Sequence, residues 1–496
     1  MQKLPIVVLC LACVGTGRRA AADVVTDWDT IAYQAVVTDT ANPASTQPGP
    51  GWTSRNMAMT MAAACDAIDS ATTTRPYTTY AYTGATVPTA SGTAAAAQAA
   101  YDVLAALYPS QVAPAVNPIK TQLNTSLSGI SGTALTDGVA LGHAVATQVL
   151  AARANDPTVG AQINWPGNGS SVPSAPGKWA TDPLHPSQSA WGPNWGALPT
   201  FSPNAAAGNA TLVANKINAL VPGATSLTDA TFLSSAYYKS QYDYIKDIGA
   251  ATGSSRTLDQ AKAGYYWAYD VGGLGPPPVL YNEILKTIAI QKGNTVQQNA
   301  RLFALANMAM ADAGIVAWNI KFAQDFWRPV TAIRYGDNDL NSQTVGNSSW
   351  LPLGALSQII TNAAAPPGNN DPFTPPFPAF TSGHASFGGA LFQTLRDFYG
   401  TDNIGFTFTS DNLPNDPRTF NTLSAAELEN GYSRLYLGIH WQFDADIGIA
   451  SGDLVADHVF ANSIVPTPEP SAIVLAAMGM LGLFAAARKR RQKAAP

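Results

Sequence analysis

The 496-residue chain is short of charge and of cysteine. Only 12% of it is Asp, Glu, Lys or Arg, against about 25% in an ordinary soluble protein. A nucleic-acid binder needs a basic face to neutralise phosphates, so that class is excluded. Disordered chains are typically rich in charge and poor in aromatics. Here 46% of the residues are hydrophobic and 9% aromatic, enough for a large core. Two of the three cysteines, Cys10 and Cys13, fall in a removable N-terminal segment, which leaves Cys65 alone. An intramolecular disulfide is then excluded, and stability outside the cell has to come from packing.

Both ends read as addresses. Met1 to Ala22 has the form of a secretory signal: Lys3, the apolar stretch LPIVVLCLACVG and the small residues Ala20 to Ala22 before a cut. Arg18 and Arg19 sit late for such a signal and blur the cleavage position. The apolar run is too short to span a bilayer. At the other end, residues 466–496 carry a Pro-Glu-Pro triplet (Pro468 to Pro470) and an apolar stretch. Five cations follow, Arg488, Lys489, Arg490, Arg491 and Lys493. That stretch is just long enough to cross a membrane, with its basic end cytoplasmic. The order of triplet, span and basic cluster resembles the PEP-CTERM sorting signal of Gram-negative bacteria; an ordinary C-terminal anchor is the alternative. The resemblance implies processing by an exosortase-type membrane enzyme. It also implies export to the periplasm, outer surface or extracellular matrix, with membrane contact only through the tail. Removing residues 1–22 and 471–496 takes away three and then five of the 27 basic residues and none of the 32 acidic ones. Nineteen cations and a net charge of -13 remain.

Between the ends, from 23 to 465, helical patterns dominate and no fixed-period repeat or clean linker is visible. Helices are expected at Trp28–Val37, Asn56–Ile68, Ala94–Leu107 and Thr136–Arg153. More follow at Asp229–Ile248, Leu258–Tyr269, Val279–Gln291, Val296–Phe326, His384–Tyr399, Ser424–Leu437 and Trp441–Phe460. Residues 156 to 203 form a Pro, Gly, Ser and Trp-rich loop whose Trp165, Trp179, Trp191 and Trp195 need surfaces to cover. A second Pro-rich loop spans Pro366 to Pro378. The expected fold is mainly α, a single unit of one or two helical bundles with little or no sheet.

Three stretches concentrate chemistry. In KFAQDFWRP, Lys321 and Arg328 stand seven residues apart, two turns of helix and one face, with Pro329 marking the helix exit. Two such cations are usually a solvated stripe, but Phe322, Phe326 and Trp327 argue for burial, where cations need an anion. In FTSGHASF, Ser382 is an N-cap, Gly383 permits close approach and His384 opens an apolar helix. Such a helix start is an anion site, and the macrodipole there does not favour a cationic imidazole. In SRLYLGIHWQFDAD, Arg434 adds a third cation. If that stretch is helical, Asp444 takes one ring nitrogen of His440 and leaves the other free as nucleophile or ligand. Together these groups surround a tetrahedral or trigonal-bipyramidal oxyanion with a histidine on either side.

The pattern Lys, six residues, Arg-Pro, then Ser-Gly-His, then Ser-Arg, five residues, His, three residues, Asp resembles the PAP2 acid phosphatase and vanadium haloperoxidase superfamily. The motif region runs from 318 to 444, and Thr381 stands where many relatives have proline. SSRTLDQAKAGYYWAYD is a weaker similarity upstream. The resemblance implies vanadate as cofactor, or phosphate in the same cage. Lys321, Arg328, Ser382, Gly383 and Arg434 would hold the oxyanion. His440 would bind vanadium or attack phosphorus, Asp444 would orient His440, and His384 would be the acid–base. Lys321 would polarise bound peroxide. Trp318 and Phe377 are halide-site candidates by the same resemblance. It implies hydrogen peroxide, a halide and a small organic compound as reactants, and a homo-oligomer on family grounds alone. A phosphatase with a phosphohistidine at His440, and a non-catalytic exported surface protein, stand as alternatives. Of the remaining histidines, His143 is expected to be a core residue. His185 shows no partner in sequence, and His458 is given no role.

Overall fold

The structure is a computed structural model that describes residues 23–467 apart from 43, 46, 357, 358 and 360–371. The secretory signal, the triplet and its span therefore lie outside the described residues. Helices make up most of the rest. Their starts follow side-chain chemistry: Asp23 with Thr26, Thr257 with Gln260 and Thr295 with Gln298 form capping boxes. Gly293 and Gly400, both left-handed, terminate Pro278–Lys292 and Gly383–Tyr399.

The N-terminal helices Val24–Thr40, Pro50–Ser70, Gly92–Leu107 and Gly132–Ala152 pack on one another through alanine-rich faces. Val296–Gln324, 29 residues long, is apolar on nearly every side. Among the described residues it is the one helix long and apolar enough to cross a membrane, yet the protein buries almost all of it. A helix apolar all round belongs at the centre of a large fold. It touches Pro50–Ser70 from the first group and Gly383–Tyr399 and Gln442–Asn462 from the second. Those last two cross very closely. A Cβ on Gly389 would lie 2.7 Å from the Ile449 carbonyl oxygen, and one on Gly452 would lie 2.3 Å from that of Ser386. The contact brings the start of one helix to the start of the other, where the Ser382 amide donates to the Asp444 carbonyl at 3.0 Å.

The sole sheet among the described residues is a two-stranded antiparallel ribbon, Phe406–Phe408 with Arg418–Phe420, with Thr407 opposite Thr419. Three expectations need correction. Asp229–Ile248 is two helices, Ala230–Leu233 and Ala236–Ile248, because Ser235 caps the second. Pro118–Leu127 and Asn209–Leu220 are additional helices whose mixed composition hid them. Pro329 begins a helix rather than ending one: the long helix stops at Gln324, Asp325 is left-handed (φ 52°), and Arg328 caps Pro329–Arg334. Proline suits the first helical position because its missing N–H has no partner there.

Candidate active site

Lys321 and Arg328 accordingly do not share a helix face. They converge because the chain reverses at Asp325, and both approach Phe377, each about 5.0 Å from its ring centre. Lys321 is fully buried. Its ammonium donates to the carbonyls of Pro378 and Ala379, both at 3.0 Å, and to that of Thr381. An ammonium has three donors, so Lys321 braces the loop that delivers Ser382, and its charge rather than a free N–H reaches the cavity. Burial and the neighbouring Arg328 push its pKa well down; the three carbonyl acceptors work to keep the proton. Thr381, at the place of the expected proline, contributes that carbonyl and no catalytic group.

Arg328 donates through Nε to the Phe377 carbonyl and through Nη1 to the Ile439 carbonyl and His440 Nε2, each at 2.9 Å. Its Nη2 is buried without a partner among the described residues. Arg434 gives Nη2 to Asp270 at 2.7 Å, and its Nε and Nη1 are likewise buried and unpartnered. Leaving such donors unpaired is costly. Burial lowers the Arg328 pKa to about 9, against the pull of Asp444.

His440 lies just before its helix, so the expected helical His–Asp pairing is replaced by a capping arrangement. Trp441 is the N-cap, and Asp444 Oδ2 takes both the Trp441 amide (3.1 Å) and His440 Nδ1 (2.8 Å). The proton therefore sits on Nδ1, and the unprotonated Nε2 accepts from Arg328. Burial, Arg328 and Lys321 hold the imidazole well below its ordinary pKa, while burial raises Asp444 to about 7. His384 Nε2 lies 2.8 Å from the Ala268 carbonyl. A carbonyl only accepts, so Nε2 carries the hydrogen and Nδ1 is the basic atom. Burial and Arg434 push this imidazole down as well. Ser382 caps its helix, accepting weakly from the Ala385 amide at 3.4 Å.

His384, His440, Arg434 and Gly383 line the floor of a cavity of about 460 Å³, with Trp318, Phe377 and Phe387 as walls. Trp318 and Phe377 stand 4.9 Å apart between ring centres. Two residues that sequence reasoning passed over belong here. Asp270 holds the Arg434 fork, and burial raises its pKa against the pull of Arg434. Tyr269, left-handed at φ 42°, lines the same cavity and donates to Glu283 at 2.8 Å. The signal was in the YYWAYD stretch, whose acid ends a helical pattern without a visible partner.

The orphaned guanidinium donors and the unprotonated Nε2 of His440 fit a compact oxyanion, vanadate or phosphate. Among the described residues no group of three or more His, Cys, Asp or Glu is placed to hold a metal ion. The other histidines lie elsewhere. His143 is not a core residue: it falls off the buried stripe of Leu141, Val145 and Val149, is about half exposed, and meets Asp102 at 2.5 Å. His185 pairs with Asp182 at 3.3 Å, and His458 with the Pro203 carbonyl at 2.8 Å.

Residues 301–465 match the VCPO second helical-bundle domain, and residues 466–491 the PEP-CTERM protein-sorting motif. The vanadium chloroperoxidase of Curvularia inaequalis is 35% identical over 277 residues, 45% of this chain and 42% of that protein. The alignment thus spans less than half the length of this curated relative. A bacterial vanadium-dependent iodoperoxidase structure superposes with TM-score 0.66 at 20% identity, covering 91% of this chain and all of the other. A holo-type bacterial vanadium-dependent chloroperoxidase gives 0.58 at 16%, covering 90% and 98%. The chain has the helical fold of these enzymes and contains a vanadium chloroperoxidase-like domain followed by a PEP-CTERM motif.

Proposed function

We propose that the protein is a vanadate-dependent haloperoxidase, oxidising halide with hydrogen peroxide to hypohalous acid, which halogenates organic compounds. The observation that carries this reading is the set of buried, unpartnered N–H groups on Arg328 and Arg434 beside a histidine whose Nε2 is unprotonated and held only by Arg328. Bound vanadate would act there as a Lewis acid that activates peroxide without changing oxidation state.

The chain's own residues supply the rest. His440 would offer Nε2 to the oxyanion in place of its present contact with Arg328, and Asp444 holds the tautomer that leaves this atom unprotonated. Arg328 and Arg434 offset the oxyanion's charge, with Ser382 and the Gly383 amide at the helix start beside them. Asp270 fixes the Arg434 fork so that its remaining donors face inward. His384, neutral at ordinary pH, takes a proton at Nδ1 from incoming peroxide and returns it as a general acid. Lys321 contributes positive charge from behind the loop; a direct contact with peroxide would require it to release one carbonyl. The Trp318, Phe377 and Phe387 walls keep water scarce, which helps to desolvate a halide.

The similarity to haloperoxidases over the motif region favours this reading over a PAP2-type phosphatase, although His440 Nε2 would serve a phosphohistidine equally well. The test supplies purified protein with orthovanadate, hydrogen peroxide and bromide, and follows halogenation of a dye. Turnover that requires vanadate supports the proposal. Hydrolysis of p-nitrophenyl phosphate in its absence, with no halogenation, supports the phosphatase, and neither activity the non-catalytic surface protein. We further read residues 23–465 as the catalytic body, with residues 1–22 and 466–496 as export and sorting segments. An exosortase-type enzyme would then deliver the protein to the periplasm, outer surface or matrix of a Gram-negative cell. Mass spectrometry of the exported form checks both cleavage positions.

A further inference from the structure

The cavity is larger and more apolar than its inorganic reactants need. At about 460 Å³ it falls within the roughly 300–1,000 Å³ of pockets that enclose drug-sized molecules. Oxyanion, halide and peroxide are small and hydrophilic, and the floor provides for them. Above the floor the lining changes. Trp191 and Phe373 join Trp318 and Phe377, and Pro48, Pro276 and Pro376 form the lip. Ring centres step from Phe377 to Trp318 at 4.9 Å and from Trp318 to Trp191 at 5.1 Å, the latter nearly edge to face. The three rings form one continuous aromatic line in the cavity lining.

Trp191 is held in place. Its Nε1 donates to the Pro48 carbonyl at 3.0 Å, its amide donates to the Pro376 carbonyl at 2.8 Å, and its own carbonyl accepts from Trp318 Nε1 at 3.2 Å. Gly49, with φ 90°, lies so close beneath the indole that a Cβ would sit 2.7 Å from its ring. Three chain segments far apart in sequence thus converge on one half-buried residue. Rigid aromatic and proline surfaces lose little freedom when a flat ligand settles on them.

We infer that this upper chamber is a binding subsite for a neutral, electron-rich aromatic compound, which is halogenated while it is held beside the cage. The inference rests on the haloperoxidase reading. The chemistry balances. A ring carbon of the bound aromatic attacks the halogen of hypohalous acid, the O–X bond breaks, and the ring proton leaves with hydroxide as water. An aryl C–H becomes C–X and no further oxidant is consumed. Trp191 is the specificity-determining side chain and takes no part in the bond changes.

The experiment uses 2-naphthol as the probe. Calorimetric titration of the protein without vanadate or peroxide should show one site, weakened at least tenfold in Trp191→Ala and nearly restored in Trp191→Phe. With vanadate, peroxide and bromide supplied, naphthol bromination should persist at taurine concentrations that abolish bromination by the same quantity of added hypobromite. Trp191→Ala should remove that protection. Equal suppression by taurine in both reactions, or no naphthol binding, overturns the subsite and leaves the haloperoxidase reading untouched. Naphthol binding that depends on Trp191 without any bromination supports the subsite and counts against the haloperoxidase reading.

Discussion

Two histidine–aspartate pairs in this molecule make nearly the same contact in opposite surroundings. His143 meets Asp102 at 2.5 Å with their side chains 56% and 22% exposed, and His440 meets Asp444 at 2.8 Å with 3% and 0%. Water screens the first, which joins two N-terminal helices at the surface. The second lies among Lys321, Arg328 and Arg434, where burial and positive charge keep the imidazole neutral and its Nε2 lone pair available. The difference teaches that a short His–Asp distance does not mark a candidate site; burial beside guanidinium donors left without partners does.

Breaking the buried pair should have the largest effect. His440→Ala should abolish turnover and oxyanion binding together, and Asp444→Asn should cost about 10–100-fold in oxyanion affinity, the usual price of removing the group that orients a ligating histidine. Titration calorimetry with orthovanadate reads both. Arg434→Met should come next. It leaves Asp270 buried without its ion-pair partner, so the melting temperature of the ligand-free protein should fall. The rise that vanadate gives the wild type, worth about 2.7 kcal/mol at a hundred times Kd, should disappear.

Proton linkage gives a smaller, graded effect. His384 is held below its ordinary pKa by burial and by Arg434, so it is neutral in the ligand-free protein at neutral pH. An anion placed beside it favours the protonated ring and raises that pKa. Binding should therefore take up protons, and affinity should fall as pH rises. Calorimetry in buffers of different ionisation heat measures the uptake; proton release on binding would contradict the assignment. Smallest of all, His143→Ala should leave activity and oxyanion binding unchanged and shift stability by no more than about 1 kcal/mol, as exposed ion pairs do.

Helix periodicity made most of this fold legible from the sequence, because long apolar helices such as Val296–Gln324 carry their own signal. The cage residues were legible because their types and spacings are unusual in a chain so poor in cations. What escaped depended on the backbone between elements. Nothing in KFAQDFWRP announces that Asp325 adopts a left-handed turn, which puts Lys321 and Arg328 on different elements. Asp270, in a loop, has its partner 164 residues away on the helix Leu423–Tyr436, so only the folded chain reveals the pair. His143 was misjudged because its apolar neighbours belong to the stripe beside it and not to its own face.

The central claim is that the buried pair and its cations form one oxyanion site. Calorimetric titration of the metal-free protein with orthovanadate tests it most directly, with phosphate as competitor. The account predicts a single site that phosphate displaces, abolished by His440→Ala and unaltered by His143→Ala. Absence of binding, or equal binding by the His440→Ala variant, would contradict it.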